Sequence, residues 1–102
     1  MRWIDESPRG HGVYAIVNTK NGHVYIGRTV NRFLERWGGH RRALRKGKHH
    51  CYLLQEAWNQ FGESAFEFQV LEGLPVGSIE LDYLIAEARH MERYRGKLYN
   101  SR

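Results

Sequence analysis

The chain has 102 residues, with sixteen Lys or Arg against eleven Asp or Glu and a formal net charge of +5. That length fits one domain, and a chain that is 41% hydrophobic with only two prolines is not expected to be disordered. No stretch has the apolar length of a membrane span, Met1-Arg2-Trp3-Ile4-Asp5-Glu6 is not a signal peptide, and the lone Cys51 excludes a disulfide framework or Cys-rich zinc site. A reducing, cytoplasmic setting without membrane association is therefore expected.

Residues 1–10 read as an N-terminal extension to a single domain spanning 1–102. Residues 12–18 and 23–28 are rich in strand formers. Thr19-Lys20-Asn21-Gly22 between them carries Asn-Gly, a strong hairpin signal. A four-residue loop pairs residue 18 with 23, 16 with 25 and 14 with 27. Tyr14 and Tyr25 then share one face, and Val13, Ala15, Val17, Val24 and Ile26 line the other.

From about Asn31 the period becomes helical. Phe33, Leu34, Trp37, Arg41 and Leu44 form a stripe toward a core, with Asn31 as N-cap and Gly47 as stop. Gly38-Gly39 conflicts with this, since each glycine costs about 1 kcal/mol in a helix. The pair predicts a kink or a close approach to the backbone.

A second helix is expected from about His50 to Phe61, with Leu53, Leu54, Ala57, Trp58 and Phe61 on its apolar face. Residues 65–71 alternate as a third strand, with Phe66, Phe68 and Val70 inward. Ser78 is the expected cap of a third helix running to about Tyr94. The order ββααβα predicts an α+β fold, a small sheet with helices packed on it.

The charge is unevenly spread. Residues 1–51 hold eleven basic and three acidic residues, and 52–102 hold five and eight. Between 28 and 48, Glu35 is the one acid among eight basic residues. That density predicts a phosphate-binding surface built from Arg28, Arg32, Arg41, Arg42, Arg45, Lys46, Lys48 and His49.

Three constellations could carry chemistry. Tyr14 and Tyr25 each neighbour a glycine, Gly12 or Gly27, which would leave a shallow site where a backbone or ligand can approach. As a base, a tyrosine needs cations to lower its pKa from about 10. Arg36 and His40 lie four apart on the first helix, with Arg32 one turn earlier, a shape suited to gripping a phosphate. Glu87 lies between the core positions Tyr83 and Met91. It should point partly inward and need a cation or metal as partner. His49-His50 reads as a polar loop, and no zinc-type histidine spacing is present.

Gly12-Val13-Tyr14, ten residues, then Tyr25-Ile26-Gly27 resembles the paired signature of the GIY-YIG nuclease family. The resemblance continues through Phe33-Leu34-Glu35-Arg36-Trp37, His40, Lys46-Gly47-Lys48-His49, Asn59-x-Phe61-Gly62 and Phe66-x-Phe68-x-Val70-Leu71-Glu72. It ends with Ala86-Glu87-Ala88 and Tyr99-Asn100, and covers roughly residues 10–100. It implies a three-stranded antiparallel sheet flanked by helices, and metal-dependent hydrolysis of DNA phosphodiester bonds. It also implies roles: Tyr14 and Tyr25 as the family tyrosines, Arg36 on the scissile phosphate, His40 as the family histidine one turn on, Glu87 as the metal ligand, and Asn100 as the asparagine near the domain end.

The expected reaction uses Mg²⁺ or Mn²⁺ on Glu87, Tyr14 as general base with a pKa lowered by nearby cations, and Arg36 to neutralise developing charge. Duplex or branched DNA is the expected partner, held mainly through phosphates. A transient dimer or a targeting protein would supply specificity. The alternative is a non-catalytic nucleic-acid-binding module of the same fold. Such a module would need the basic residues but not Glu87, which repels phosphate in the absence of a metal.

Overall fold

In a computed structural model, the backbone of residues 2–3 and the whole of residues 10–100 are described. Most of the N-terminal extension expected over 1–10 lies outside the described residues. The strands are β1 (Arg2–Trp3), β2 (Gly12–Asn18), β3 (Val24–Thr29) and β4 (Phe66–Gly73). The helices are α1 (Phe33–Arg45), α2 (Tyr52–Phe61) and α3 (Glu80–Arg93), with a 3₁₀ turn at Glu63–Ala65. From β2 onward the order is ββααβα. None of these helices is long and apolar enough to cross a membrane.

The sheet centres on β2, which pairs antiparallel with β3 on one side and β4 on the other. This is the three-stranded antiparallel sheet that the sequence implied. The two-residue β1 adds to the outer edge of β4 in parallel, which the sequence reading did not include. The hairpin register is the expected one: Ile16 opposes Tyr25 and Tyr14 opposes Gly27. The loop is closed by Asn18 N–H to the His23 carbonyl at 2.9 Å.

That register sorts the core into two faces. Tyr14, Ile16, Tyr25, Phe66 and Phe68 face α1 and α2, while Val13, Ala15, Val24 and Ile26 face α3. On the first face, Trp37 of α1 stacks on Phe68 with ring centroids 4.7 Å apart, and Trp58 of α2 packs on Phe66. On the second, Ala86 is buried, with Met91 packed beside it. The sheet is thus sandwiched between α1 and α2 on one side and α3 on the other.

The α1 stripe differs from the expected one. Phe33, Trp37, His40 and Leu44 are buried, whereas Leu34 is 49% exposed and Arg41 is exposed. The core position thus falls to His40, one residue earlier, which has hydrogen-bond partners inside. The N-cap is Arg32 rather than Asn31, whose N–H instead reaches Thr29 Oγ1 at 3.0 Å. The helix runs unbroken through Gly38-Gly39, and only the tip of Arg42 comes within 4 Å of where their Cβ atoms would lie.

In α2, Leu54, Ala57 and Trp58 are buried as expected, Leu53 and Phe61 are half-buried, and the helix begins at Tyr52. Ile79, not Ser78, caps α3. Its N–H bonds Asp82 Oδ2 at 2.9 Å, while Ser78 Oγ donates to the Pro75 carbonyl.

Candidate active site

The hairpin sets Tyr14 and Tyr25 side by side on the α1 face. Gly27 is opposite Tyr14, whose ring lies over it: a Cβ at Gly27 would sit 2.5 Å from Tyr14 Cζ. Gly12 has φ +148°, and a Cβ there would come 3.1 Å from the Glu72 carbonyl carbon. Both glycines thus permit a close approach, as expected, and Gly27 also borders a pocket. One makes room for the tyrosine ring and the other for the β4 backbone.

Helix α1 delivers Arg36 and His40 to the same phenol oxygen. Arg36 Nε donates to Tyr14 Oη at 3.3 Å, and His40 Nε2 lies 2.5 Å from it. Behind His40, its Nδ1 lies 2.7 Å from His49 Nε2, and His49 Nδ1 accepts the Cys51 backbone N–H at 3.0 Å. His50 Nε2 lies 3.0 Å from Tyr25 Oη, and the rings of His49 and His50 stack at 4.5 Å.

The loop carrying these histidines is fixed by α2. The His49 backbone N–H donates to Gln55 Oε1, and Gln55 Nε2 donates to the Leu44 carbonyl, both at 3.0 Å. His49 is only 8% exposed, which corrects its expected place on a nucleic-acid surface. Nor is the His49-His50 pair a simple polar loop. Its signal in the sequence was the polar pair immediately before an amphipathic helix, but its contact with Tyr25 is long-range and that with His40 crosses the loop between α1 and α2.

Burial dominates the electrostatics. It pushes the Tyr14 phenol up to about 12 against the charge and hydrogen bond of Arg36, and the Glu87 charge adds to the rise. Burial also raises Tyr25, with Tyr14 and Cys51 contributing. The expectation that nearby cations lower Tyr14 is corrected: Arg36 pulls that way, but desolvation is larger. Burial drives His40 down to about 3, with the charges of His49, Arg36 and His50 adding to it. His49 falls to about 4 through burial and His50, against the pull of the Cys51 amide bond. Both imidazoles are therefore neutral near pH 7.

Facing this cluster, α3 presents Glu87 to a pocket of about 400 Å³ that Tyr14, Tyr25, Gly27, Arg28 and Arg36 also line. Glu87 points partly inward, as expected, with its side chain 15% exposed. Its cation is Arg28: Nη1 donates to Glu87 Oε1 at 2.8 Å and Nη2 to Glu80 Oε2 at 3.0 Å. Arg28, expected on the nucleic-acid surface, is thus held by two carboxylates at the edge of the pocket. Among the described residues, no group of three or more His, Cys, Asp or Glu is arranged to hold a metal. The guanidinium nevertheless shows that the space between Glu87 and Glu80 accepts positive charge.

Asn100 stands apart from the pocket cluster just described. Its amide bonds both backbone groups of Ile26, accepting from N–H at 2.8 Å and donating to C=O at 2.7 Å. It clamps β3 between Tyr25 and Gly27. Arg32, Arg42, Lys46 and Lys48 are exposed as expected, and so is Arg41, which the sequence placed both on this basic surface and on the core-facing stripe. Arg45 is exposed too, but forms a two-point ion pair with Glu63.

A hairpin with paired tyrosines, an Arg and His one turn apart on the next helix, and a carboxylate across the pocket define a recognisable class of catalytic domain. A family profile described as the GIY-YIG catalytic domain matches residues 10–100, and the chain belongs to the GIY-YIG family. It is 41% identical over 64 residues to intron-associated endonuclease 1 of Enterobacteria phage T4, a match covering 63% of this chain. The match spans only 25% of that protein. Among solved structures, the catalytic domain of the homing endonuclease I-TevI superposes with a TM-score of 0.79 at 30% identity, covering 87% of this chain and 95% of that one. A mutant of the same domain gives 0.76 at 31% identity, covering 86% and 87%.

Proposed function

We propose that this domain is an endonuclease that hydrolyses phosphodiester bonds in DNA with the help of a divalent cation. The observation carrying this reading is the convergence of Tyr14, Tyr25, Arg36 and Glu87 on one pocket. Arg36 reaches that pocket from an exposed position, so its guanidinium can pair with a phosphate and offset charge that builds during attack.

Tyr14 is the better candidate for accepting the water proton, because Arg36 bonds its oxygen and would steady a phenolate. Its raised pKa means that this role needs the positive charge of the bound cation, with Arg36 beside the phenol. Tyr25, steadied by His50, would orient water or phosphate.

Glu87, with Glu80 beside it, would hold Mg²⁺ or Mn²⁺, ions that typically bind one or two carboxylates plus water and phosphate oxygens. When bound, the ion supplies Lewis-acid stabilisation of the phosphate and the leaving 3′ oxygen.

The exposed Arg32, Arg41, Arg42, Lys46 and Lys48 would track the DNA backbone, positioning it without reading sequence. A transient dimer or a targeting partner would add specificity.

The second reading is a non-catalytic DNA-binding module, and one observation favours it: Arg28 already gives Glu87 a structural counter-ion. Plasmid nicking in Mg²⁺ separates the two. Arg36→Ala and Glu87→Gln should each abolish nicking, with Glu87→Gln leaving DNA affinity intact. Undiminished cleavage by either variant would sink the assignment of these roles. DNA binding without cleavage by the wild type would favour the binding module.

A further inference from the structure

We propose that His49 is a positioning residue. It fixes His40 in the Nε2–H tautomer, so that two N–H donors, from Arg36 and His40, converge on Tyr14 Oη.

A backbone N–H can only donate, so the Cys51 amide makes His49 Nδ1 an acceptor. A neutral imidazole carries one N–H, so that of His49 is on Nε2. That atom lies 2.7 Å from His40 Nδ1, which must accept. The His40 proton is then on Nε2, 2.5 Å from Tyr14 Oη, and points at it. Burial among neighbouring charges keeps both rings neutral.

The Tyr14 oxygen therefore accepts from His40 and from Arg36 Nε. Its own proton has no place on that side and is directed toward the pocket. The opposite tautomer would draw this proton inward onto His40 and leave Arg36 as the sole donor. The tautomer of His40 thus decides whether Tyr14 faces the pocket as a group able to surrender its proton there, with two donors to hold the phenolate. His49 does not line the pocket, and although its ring meets Tyr25 edge-on at 5.6 Å, its hydrogen bond toward the site is to His40.

The functional weight of this inference rests on the nuclease reading, but the tautomer does not. The test is a long-range ¹H–¹⁵N correlation of the imidazoles in ¹⁵N-labelled protein near pH 7. Both His40 and His49 should appear as neutral Nε2–H tautomers. An Nδ1–H or doubly protonated His40 would overturn the proposal.

Two variants extend the test. His49→Gln keeps an N–H donor for His40 Nδ1 and should preserve the tautomer, with nicking within a few-fold of wild type. His49→Phe removes the donor. His40 should then populate both tautomers, and kcat for nicking should fall about tenfold or more with KM for DNA nearly unchanged. If His40 kept its Nε2–H tautomer in His49→Phe, the proposal would be wrong. Wild-type protein with the predicted tautomers but no nicking would support the assignment of the protons and refute the nuclease reading.

Discussion

Acidification should destabilise this fold steeply, well above the pH at which its carboxylates titrate. The perturbation is a drop from pH 7.5 to pH 5, and the groups responsible are His40 and His49, 4% and 8% exposed. In the unfolded chain each histidine titrates near 6.5, whereas in the fold they lie at about 3 and about 4. Because these folded values are depressed, the unfolded state binds protons first. The stability is present above about pH 6.5 and is lost as pH falls toward the folded values. At pH 5 the unmet proton affinity is about 1.5 units per histidine, or about 2 kcal/mol each at 1.36 kcal/mol per unit. Together that is about 4 kcal/mol, a large share of the 5–15 kcal/mol typical of a domain. The carboxylate ion pairs act lower: Glu63, held down to about 2 by Arg45, loses its contribution only below its ordinary value of 4.5. Urea unfolding followed by tryptophan fluorescence at several pH values between these limits measures the loss. His49→Gln should roughly halve it. A stability independent of pH over this range, or the full loss retained in His49→Gln, would refute the reasoning.

Three further outcomes are expected. Gly27→Ala forces a Cβ to 2.5 Å from Tyr14 Cζ, so it should cost about 1–3 kcal/mol in urea unfolding and impair nicking by displacing Tyr14. Wild-type stability and activity would contradict the packing. Arg28→Ala removes the cation competing for Glu87 and should tighten Mn²⁺ binding about fivefold by calorimetry, worth about 1 kcal/mol for a partly exposed pair. Unchanged affinity would show that Arg28 does not compete. In salt-titrated DNA binding, Arg42→Ala should reduce the slope of log K against log salt by about 1, while Arg45→Ala changes it little because Glu63 already neutralises that guanidinium. Equal effects from the two would mean that the ion pair opens on DNA.

Much of the fold was legible because its signals are local. The four-residue Asn-Gly loop set the hairpin register, and with it the shared face of Tyr14 and Tyr25. The α1 stripe was misplaced for a physical reason. Periodicity weights apolar residues, so Leu34 looked like core. His40 took a buried position because partners on β2 and beyond α1 satisfy both ring nitrogens. The inward tilt of Glu87 was also legible, since it lies between Tyr83 and Met91, but its partner was not. Arg28 is 59 residues away and meets it only because α3 packs across β3. Asn100 could be named only from the family resemblance, because a side chain completing a strand's hydrogen bonds leaves no local mark.

The same burial gradient that misled the reading explains how the site is divided. Behind Tyr14, where solvent is excluded and the charge of Arg36 is close, a protonated side chain would be strongly disfavoured. Neutral imidazoles supply polar contacts there without net charge. In front, Arg36, Arg28, Glu87 and Glu80 border the solvent-facing pocket, where water and incoming ions can balance them. Tyr14 Oη is the atom at which the two halves meet. A charged network open to substrate and a neutral one buried behind it allow the phenol to respond to what enters the pocket while its position stays fixed. On this view the basic excess of the first half of the chain matters less as a total than by where it ends. Arg28 is tied to carboxylates, Arg45 is tied to Glu63, and Arg36 is the guanidinium left facing the pocket beside the tyrosines.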